Sequence, residues 1–111
     1  MVVVRVDGDI DMSAAHDMYR GLAARLTNEG AGLVLDLTAT SYLDSAGIEL
    51  VFDLARRLRT RRQSLGLVVP REAPMRRVLA MYDVEAVAPI DTSVEAAVGG
   101  VRDQAARSSG G

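Results

Sequence analysis

A chain of 111 residues provides one domain with a single core. Its composition, with 49% apolar and 25% charged residues, is typical of a globular protein, and its net charge of −2 argues against nucleic acid as the main partner. Because the sequence has no cysteine and one histidine, it cannot form disulfides, and it lacks the usual ligands of a zinc site. No long apolar run or signal peptide is present, so we expect a cytoplasmic protein without membrane insertion, cofactor or metal.

The first elements read as a strand followed by a helix. Residues 1–6 alternate valines between two faces, which predicts a strand that Gly8-Asp9 interrupts. Ser13 is the candidate N-cap of a helix that we expect to end near residues 28–30. His16 lies on the polar face of this helix, and we interpret it as a solvated surface residue.

A strand over residues 33–37 and a helix over residues 48–60 follow, joined by a loop rich in hydroxyl side chains. Ser45 lies at or just before the first turn of that helix, and either Ser45 or Asp44 is suited to cap it. The unpaired amides and the dipole of a helix N-terminus favour an anion. Ligands of parallel sheets bind at the carboxyl ends of the strands. A charged group on Ser45 would therefore lie in a favourable field.

The second half of the chain continues the alternation of strands and helices. Residues 64–69 predict a third strand, which completes a right-handed βαβ unit. Pro74 fits the first turn of a third helix. Residues 86–90 suit a strand at the sheet edge, because Pro89 cannot donate a hydrogen bond to a neighbouring strand. Residues 92–95 match a capping box before a last helix. We therefore predict an α/β fold with a small mixed, largely parallel sheet and about four helices. Residues 1–106 form a single domain in this prediction, and residues 107–111 form a disordered tail.

One dense basic run closes the second helix. Its members are Arg56, Arg57, Arg59, Arg61 and Arg62. Because the helix dipole favours cations near the C-terminus, we interpret the run as a solvated helix end. Contact with a partner or an anionic surface is the alternative.

The whole pattern resembles the STAS domain family, and most closely the bacterial anti-sigma factor antagonists. Residues 4–11 (VRVDGDID) match the opening strand and its turn, residues 33–37 (LVLDL) match the central strand, and residues 42–48 (YLDSAGI) match the Asp-Ser-x-Gly loop. A fainter match continues to Pro70 and to residues 75–79, so that the resemblance covers residues 2–101.

The resemblance implies a non-enzymatic regulator of transcription. In this family the serine that matches Ser45 is phosphorylated by a partner that is both anti-sigma factor and serine kinase. The unmodified antagonist captures that partner and frees the sigma factor, and a serine phosphatase resets the cycle. Ser45 is therefore the expected phosphoacceptor of this chain, with Asp44 orienting its hydroxyl.

Further site residues follow from the same resemblance. Those expected to support the phosphorylation loop are Asp44, Gly47, Asp11 and Asp36. Those expected to bind the partner are Ala46, Ile48, Glu49 and Phe52. Burial in the core is the competing expectation for the apolar side chains among them.

Three features depart from the family pattern. A strand that usually precedes the one at residues 1–6 is missing, which affects the edge of the sheet. Ala46 replaces a frequent second serine, so that Ser45 is the only hydroxyl of the tetrapeptide. Glu49 stands where the family often has glycine, which adds a carboxylate near the expected partner surface.

Three other functions compete with this interpretation. An enzyme with a Ser45 nucleophile would need a nearby base, but His16 belongs to another helix and Leu43 stands where a nucleophile elbow requires glycine. A nucleotide-binding module would need a glycine-rich loop after a strand, whereas residues 30–32 precede one. A STAS domain that binds without a phosphorylation cycle, in a transport or lipid-trafficking assembly, is the main alternative.

Overall fold

The computed structural model describes residues 1–27 and 30–110, and of residues 108–110 it describes the backbone only. Its strands are β1 (Val2–Arg5), β2 (Gly8–Ile10), β3 (Gly32–Asp36), β4 (Thr40–Leu43), β5 (Ser64–Val68) and β6 (Ile90–Asp91). Its helices are α1 (Met12–Arg25), α2 (Ser45–Thr60), α3 (Met75–Met81) and α4 (Val94–Gly110). A short 3₁₀ turn occupies Val84–Ala86.

The main sheet has four strands in the order β1-β3-β5-β6, and every pairing in it is parallel. The predicted α/β class and the four helices are confirmed. Leu33 and Leu35 of β3 face one core, where they pack with residues of α2 such as Leu54. Val34, on the opposite face, packs against Ala97 of α4. Helices therefore cover both faces of the sheet, which explains why β3 is an almost continuous apolar run.

A second, two-stranded sheet extends the first beyond the carboxyl ends of β1 and β3. It consists of β2 and β4, which pair in parallel, so the segment that we predicted as an irregular loop contains a strand. The amide of Gly8 donates to the carbonyl of Ala39 at 3.1 Å, and the buried hydroxyl of Thr40 donates to the carbonyl of Val6 at 2.8 Å. Only Thr40 and Leu43 of β4 are buried, and so the strand lacks the period-2 pattern that would have revealed it.

The last third of the chain differs from the prediction in its boundaries. Residues 84–86 form the 3₁₀ turn, and β6 contains only two residues, although it lies at the sheet edge as Pro89 required. The final helix α4 runs to Gly110, across residues predicted as a disordered tail, while residue 111 lies outside the described residues. Helix α1 ends at Arg25, and part of its expected end, residues 28 and 29, is likewise outside them.

Helix α1 is capped by Asp11, and the prediction of Ser13 as its N-cap is wrong. The Asp11 carboxylate accepts hydrogen bonds from the amide of Ala14 at 3.1 Å and from the hydroxyl of Ser13 at 2.7 Å. Ser13 is thus the second residue of the helix and supports the cap from inside the first turn. These hydrogen bonds, led by that of the Ser13 side chain, hold the pKa of Asp11 below its ordinary value of 3.8 because they favour the charged carboxylate.

We expect Asp11→Asn to lower the free energy of unfolding at pH 7, although asparagine is itself a good N-cap. A carboxylate with a lowered pKa stabilises the folded state fully above its unfolded pKa, and this stabilisation disappears as pH falls through the folded pKa. The gap between wild type and variant should therefore narrow from pH 7 towards pH 3, as measured by urea unfolding at a series of pH values. A gap that stays constant over this range would contradict the assigned role of the charge.

Candidate functional site

Two helix N-termini lie side by side at the carboxyl edge of the small sheet. Ile10 of β2 is in register with Leu43 of β4, and each is followed by an aspartate that caps the next helix. The amide of Asp44 also donates to the carbonyl of Ile10 at 3.4 Å. The pairing of the two strands therefore brings Asp11 and Asp44, and with them the starts of α1 and α2, to one place.

Asp44 is the N-cap of α2. Its Oδ1 accepts hydrogen bonds from the amides of Ala46 at 2.9 Å and Gly47 at 3.2 Å. The helix consequently begins at Ser45, three residues before the predicted start at Ile48. Because the carboxylate is occupied with the backbone, and has no hydrogen bond to Ser45 within the described residues, the expectation that it orients the Ser45 hydroxyl is not supported.

Gly47 allows the first turn of α2 to pack directly on β2. A Cβ atom at this buried position would collide with the Leu43 side chain and would lie 2.9 Å from the carbonyl oxygen of Ile10. The Ile10 oxygen belongs to the backbone of a paired strand and cannot move freely. The glycine of the Asp-Ser-x-Gly stretch is therefore required by the close approach of helix and strand.

Ser45 is the first residue of α2, and its side chain is exposed. Its hydroxyl has no hydrogen-bond partner in residues 1–27 and 30–110. The neighbouring amides of Ala46 and Gly47 are already bonded to Asp44. The serine hydroxyl is thus held at a fixed place on a helix start while remaining free to react or to contact another molecule.

The structure brings only part of the expected supporting set to this place. Asp11 lies beside Asp44 through the strand pairing described above. Asp36, at the end of β3, accepts hydrogen bonds from the amide of Thr38 at 3.0 Å and from its hydroxyl at 2.7 Å. Asp36 therefore shapes the turn between β3 and β4, and it has no hydrogen bond to Ser45 within the described residues.

The expected partner-binding residues separate into three environments. Ala46 and Glu49 line a groove of about 210 Å³ between α1 and α2, beside the Ser45 turn. Ile48 is only 3% exposed and belongs to the core, so its side chain is not available to a partner. Phe52 is half-buried and lines a different cavity, on the flank of α2 away from α1. Of the four expected partner-binding residues, only Ala46 and Glu49 therefore line the groove beside Ser45.

Residues of α1 that the sequence did not indicate complete this groove. Met12, which is 79% exposed, and His16 line it opposite Ala46 and Glu49. His16 was interpreted as an isolated surface residue, and only the packing of α1 against α2 shows that it faces the groove. The sequence carried no signal for Met12, because a single apolar side chain on the surface is common and indicates no contact by itself.

Within the described part of the chain, no group of three or more histidine, cysteine, aspartate or glutamate side chains is arranged to hold a metal ion. None of the helices there combines the length and the apolar character that a membrane span requires.

We expect Gly47→Ala to lower the free energy of unfolding by about 1–3 kcal/mol, because the new methyl group overpacks the contact with Ile10 and Leu43. The control is Gly21→Ala in α1, where a Cβ would meet nothing within 4 Å. There alanine should stabilise the protein by about 0.4–1 kcal/mol, since glycine is a poor helix former. Chemical unfolding of both variants tests this, and equal effects at the two positions would contradict the packing role of Gly47.

Comparison with known proteins identifies structures of the same fold. An anti-sigma factor antagonist from Mycobacterium paratuberculosis is 27% identical, with a TM-score of 0.77, over 91% of this chain and 86% of that protein. The anti-sigma factor antagonist SpoIIAA in its unphosphorylated form is 20% identical, with a TM-score of 0.73, over 92% of this chain and 90% of that one, which shows a shared fold. No curated protein matches the chain in sequence.

The family model of the STAS domain matches residues 1–105, nearly the whole chain. The resemblance drawn from residues 4–11, 33–37 and 42–48 is therefore confirmed, as is the STAS-like fold. The chain belongs to the STAS domain family.

Proposed function

We propose that this protein is an anti-sigma factor antagonist whose binding is controlled by phosphorylation of Ser45. Unmodified, it binds an anti-sigma factor that is also a serine kinase and so frees a sigma factor for transcription. Phosphorylation of Ser45 releases the partner, and a serine phosphatase restores the binding form. One observation carries the proposal: the Ser45 hydroxyl is exposed at a rigid helix start and unbonded within the described chain. The antagonist from Mycobacterium paratuberculosis, at 27% identity, supports it.

The groove between α1 and α2 is the surface that we assign to the partner. It begins beside Ser45, where Ala46 and Glu49 face Met12 and His16. Asp53 adds a second carboxylate to the same groove. Because Asp53 already forms an ion pair with Arg56 at 3.4 Å, Glu49 is the carboxylate available to a partner. A partner segment with an apolar side chain for Met12 and a cationic side chain for Glu49 is complementary to this surface.

Phosphorylation would act at the edge of this surface without refolding the domain. A phosphate on Ser45 adds about −1.5 to −2 charges. The nearest amides are already bonded to Asp44, whose own charge repels the phosphate, so the domain offers it little compensation. An unpaired phosphate at an interface costs several kcal/mol. A penalty of about 3–4 kcal/mol weakens binding roughly 100- to 1000-fold, which is sufficient for a switch.

Substitutions of Ser45 test the proposal. Ser45→Ala should bind the anti-sigma factor as wild type does but should not accept phosphate. Ser45→Asp carries part of the charge of phosphoserine and should weaken binding at least about tenfold. Calorimetry with the purified partner measures both affinities.

Ser41→Asp is the matched control, because Ser41 is an exposed serine of β4 four residues earlier in the chain and gives the same change in net charge. It should bind normally. If Ser45→Asp binds the partner as tightly as Ser41→Asp, phosphorylation does not control the interaction, and the alternative of a constitutive STAS interaction subunit replaces this proposal.

A further inference from the structure

A second cavity lies at the other end of α2, on the flank away from α1. Its volume is about 490 Å³, which falls in the range of small-molecule sites. Side chains from the last turns of α2, from the start of β5, from the segment before β6 and from α4 surround it. Four of these side chains are arginines, namely Arg56, Arg59, Arg62 and Arg107.

The basic run of α2 is divided between different surroundings. Arg56, Arg59 and Arg62 recur at intervals of three residues and line this cavity. Arg57 lies on the other flank of the helix, in a shallow depression with Tyr19 of α1 that Arg56 also borders. The interpretation of the run as a solvated helix end therefore holds for Arg57 but does not explain why three of its members converge with an arginine from α4.

The backbone at Arg62 is strained in a way that glycine would relieve. Arg62 has a φ of +59°, in the left-handed region, directly after the end of α2. Its amide donates to the carbonyl of Arg59 at 3.0 Å, and the amide of Gln63 donates to that of Leu58 at 2.9 Å. These two bonds form a Schellman motif, in which glycine is the usual residue at the left-handed position. An arginine there costs stability, and its side chain lines the cavity.

The arginines of the cavity are not neutralised by acidic side chains that line it. No aspartate or glutamate lines it among the described residues. Arg56 has an ion pair with Asp53 at 3.4 Å, but Arg59, Arg62 and Arg107 have none in residues 1–27 and 30–110. Because the whole chain has a net charge of −2, this concentration of cations is a local feature. Guanidinium groups close together repel one another, and a bound anion would remove that repulsion.

Part of the cavity lining is apolar. This part, which we call the Phe52 floor, consists of Phe52, Ala55, Leu65 and Val87. Phe52 and Val87 are half-buried and pack against the core, so their surfaces are held in place. The half-buried Gln104 of α4 adds an amide that can accept or donate a hydrogen bond. The site thus joins a rigid apolar surface to a group of cations.

From these features we infer that the cavity binds a small phosphorylated molecule, with its phosphates on the arginines and its apolar or aromatic part on the Phe52 floor. Each guanidinium group can donate two parallel hydrogen bonds to a phosphate or a carboxylate, which favours these anions over halides, and the higher charge of phosphate groups favours them over a simple carboxylate. The site is separate from Ser45, since the start of α2 and Arg59 are about 21 Å apart along the axis at about 1.5 Å per residue. The inference does not depend on the proposed function.

Calorimetry with the full chain tests the inference, with ATP as a probe that has both parts and inorganic pyrophosphate as a probe that has only the charge. ATP should bind, and more tightly than pyrophosphate. Arg59→Gln and Arg107→Gln should each weaken ATP binding about tenfold or more, since a hydrogen bond to a charged group is lost in each. Arg57→Gln, on the same helix but outside the cavity, is the matched control and should bind ATP normally.

Arg62→Gly distinguishes a loss of ATP affinity from a loss of stability. Glycine relieves the left-handed backbone, so this variant should unfold at the same temperature as wild type or higher, yet bind ATP at least about tenfold more weakly. Three results would overturn the inference: no binding of ATP at millimolar concentration, equal affinity for pyrophosphate and ATP, or equal weakening by Arg57→Gln and Arg62→Gly. Binding of an acidic protein surface to the arginines without any affinity for ATP would also overturn it.

Discussion

The contact between the first turn of α2 and strand β2 is the constraint on which the site depends. Gly47 lets the helix approach the carbonyl of Ile10 more closely than any side chain would permit, and Asp44 holds the first amides of the helix. Together they fix where Ser45 stands. They also make its hydroxyl available, because the cap is already occupied by its neighbour and the serine is not needed for it.

The two ends of α2 have opposite chemical character. Its start carries carboxylates and a free hydroxyl beside the N-terminus of α1, whereas its last turns carry arginines that face a cavity towards α4. The helix is buried along one side by residues such as Leu50, Val51 and Leu54, which keeps both ends in fixed positions relative to the sheet. A single helix therefore positions two surfaces that are far apart.

Much of the fold could be predicted because the periodicity of the sequence is strong where burial is complete. The run from Leu33 to Leu37 and the stripe of α2 identified the central βαβ unit, and Pro89 correctly placed the last strand at an edge. Strand β4 was missed because only its two end residues are buried. Asp11 was missed as a cap because Ser13, two residues later, is an equally good cap by residue type, and only the backbone geometry distinguishes them.

The site was harder to predict than the fold, since periodicity does not say which neighbours a helix face will have. Ser45, Asp44 and Gly47 were proposed from local pattern and resemblance, but the burial of Ile48, the separation of Phe52 and the place of His16 follow from tertiary packing. The central claim is that a phosphate on Ser45 controls binding. Mass-spectrometric mapping after incubation of the complex with ATP tests this directly: we predict phosphate on Ser45 and dissociation of the complex, whereas phosphate on another residue, or an intact complex with Ser45 modified, would contradict the claim.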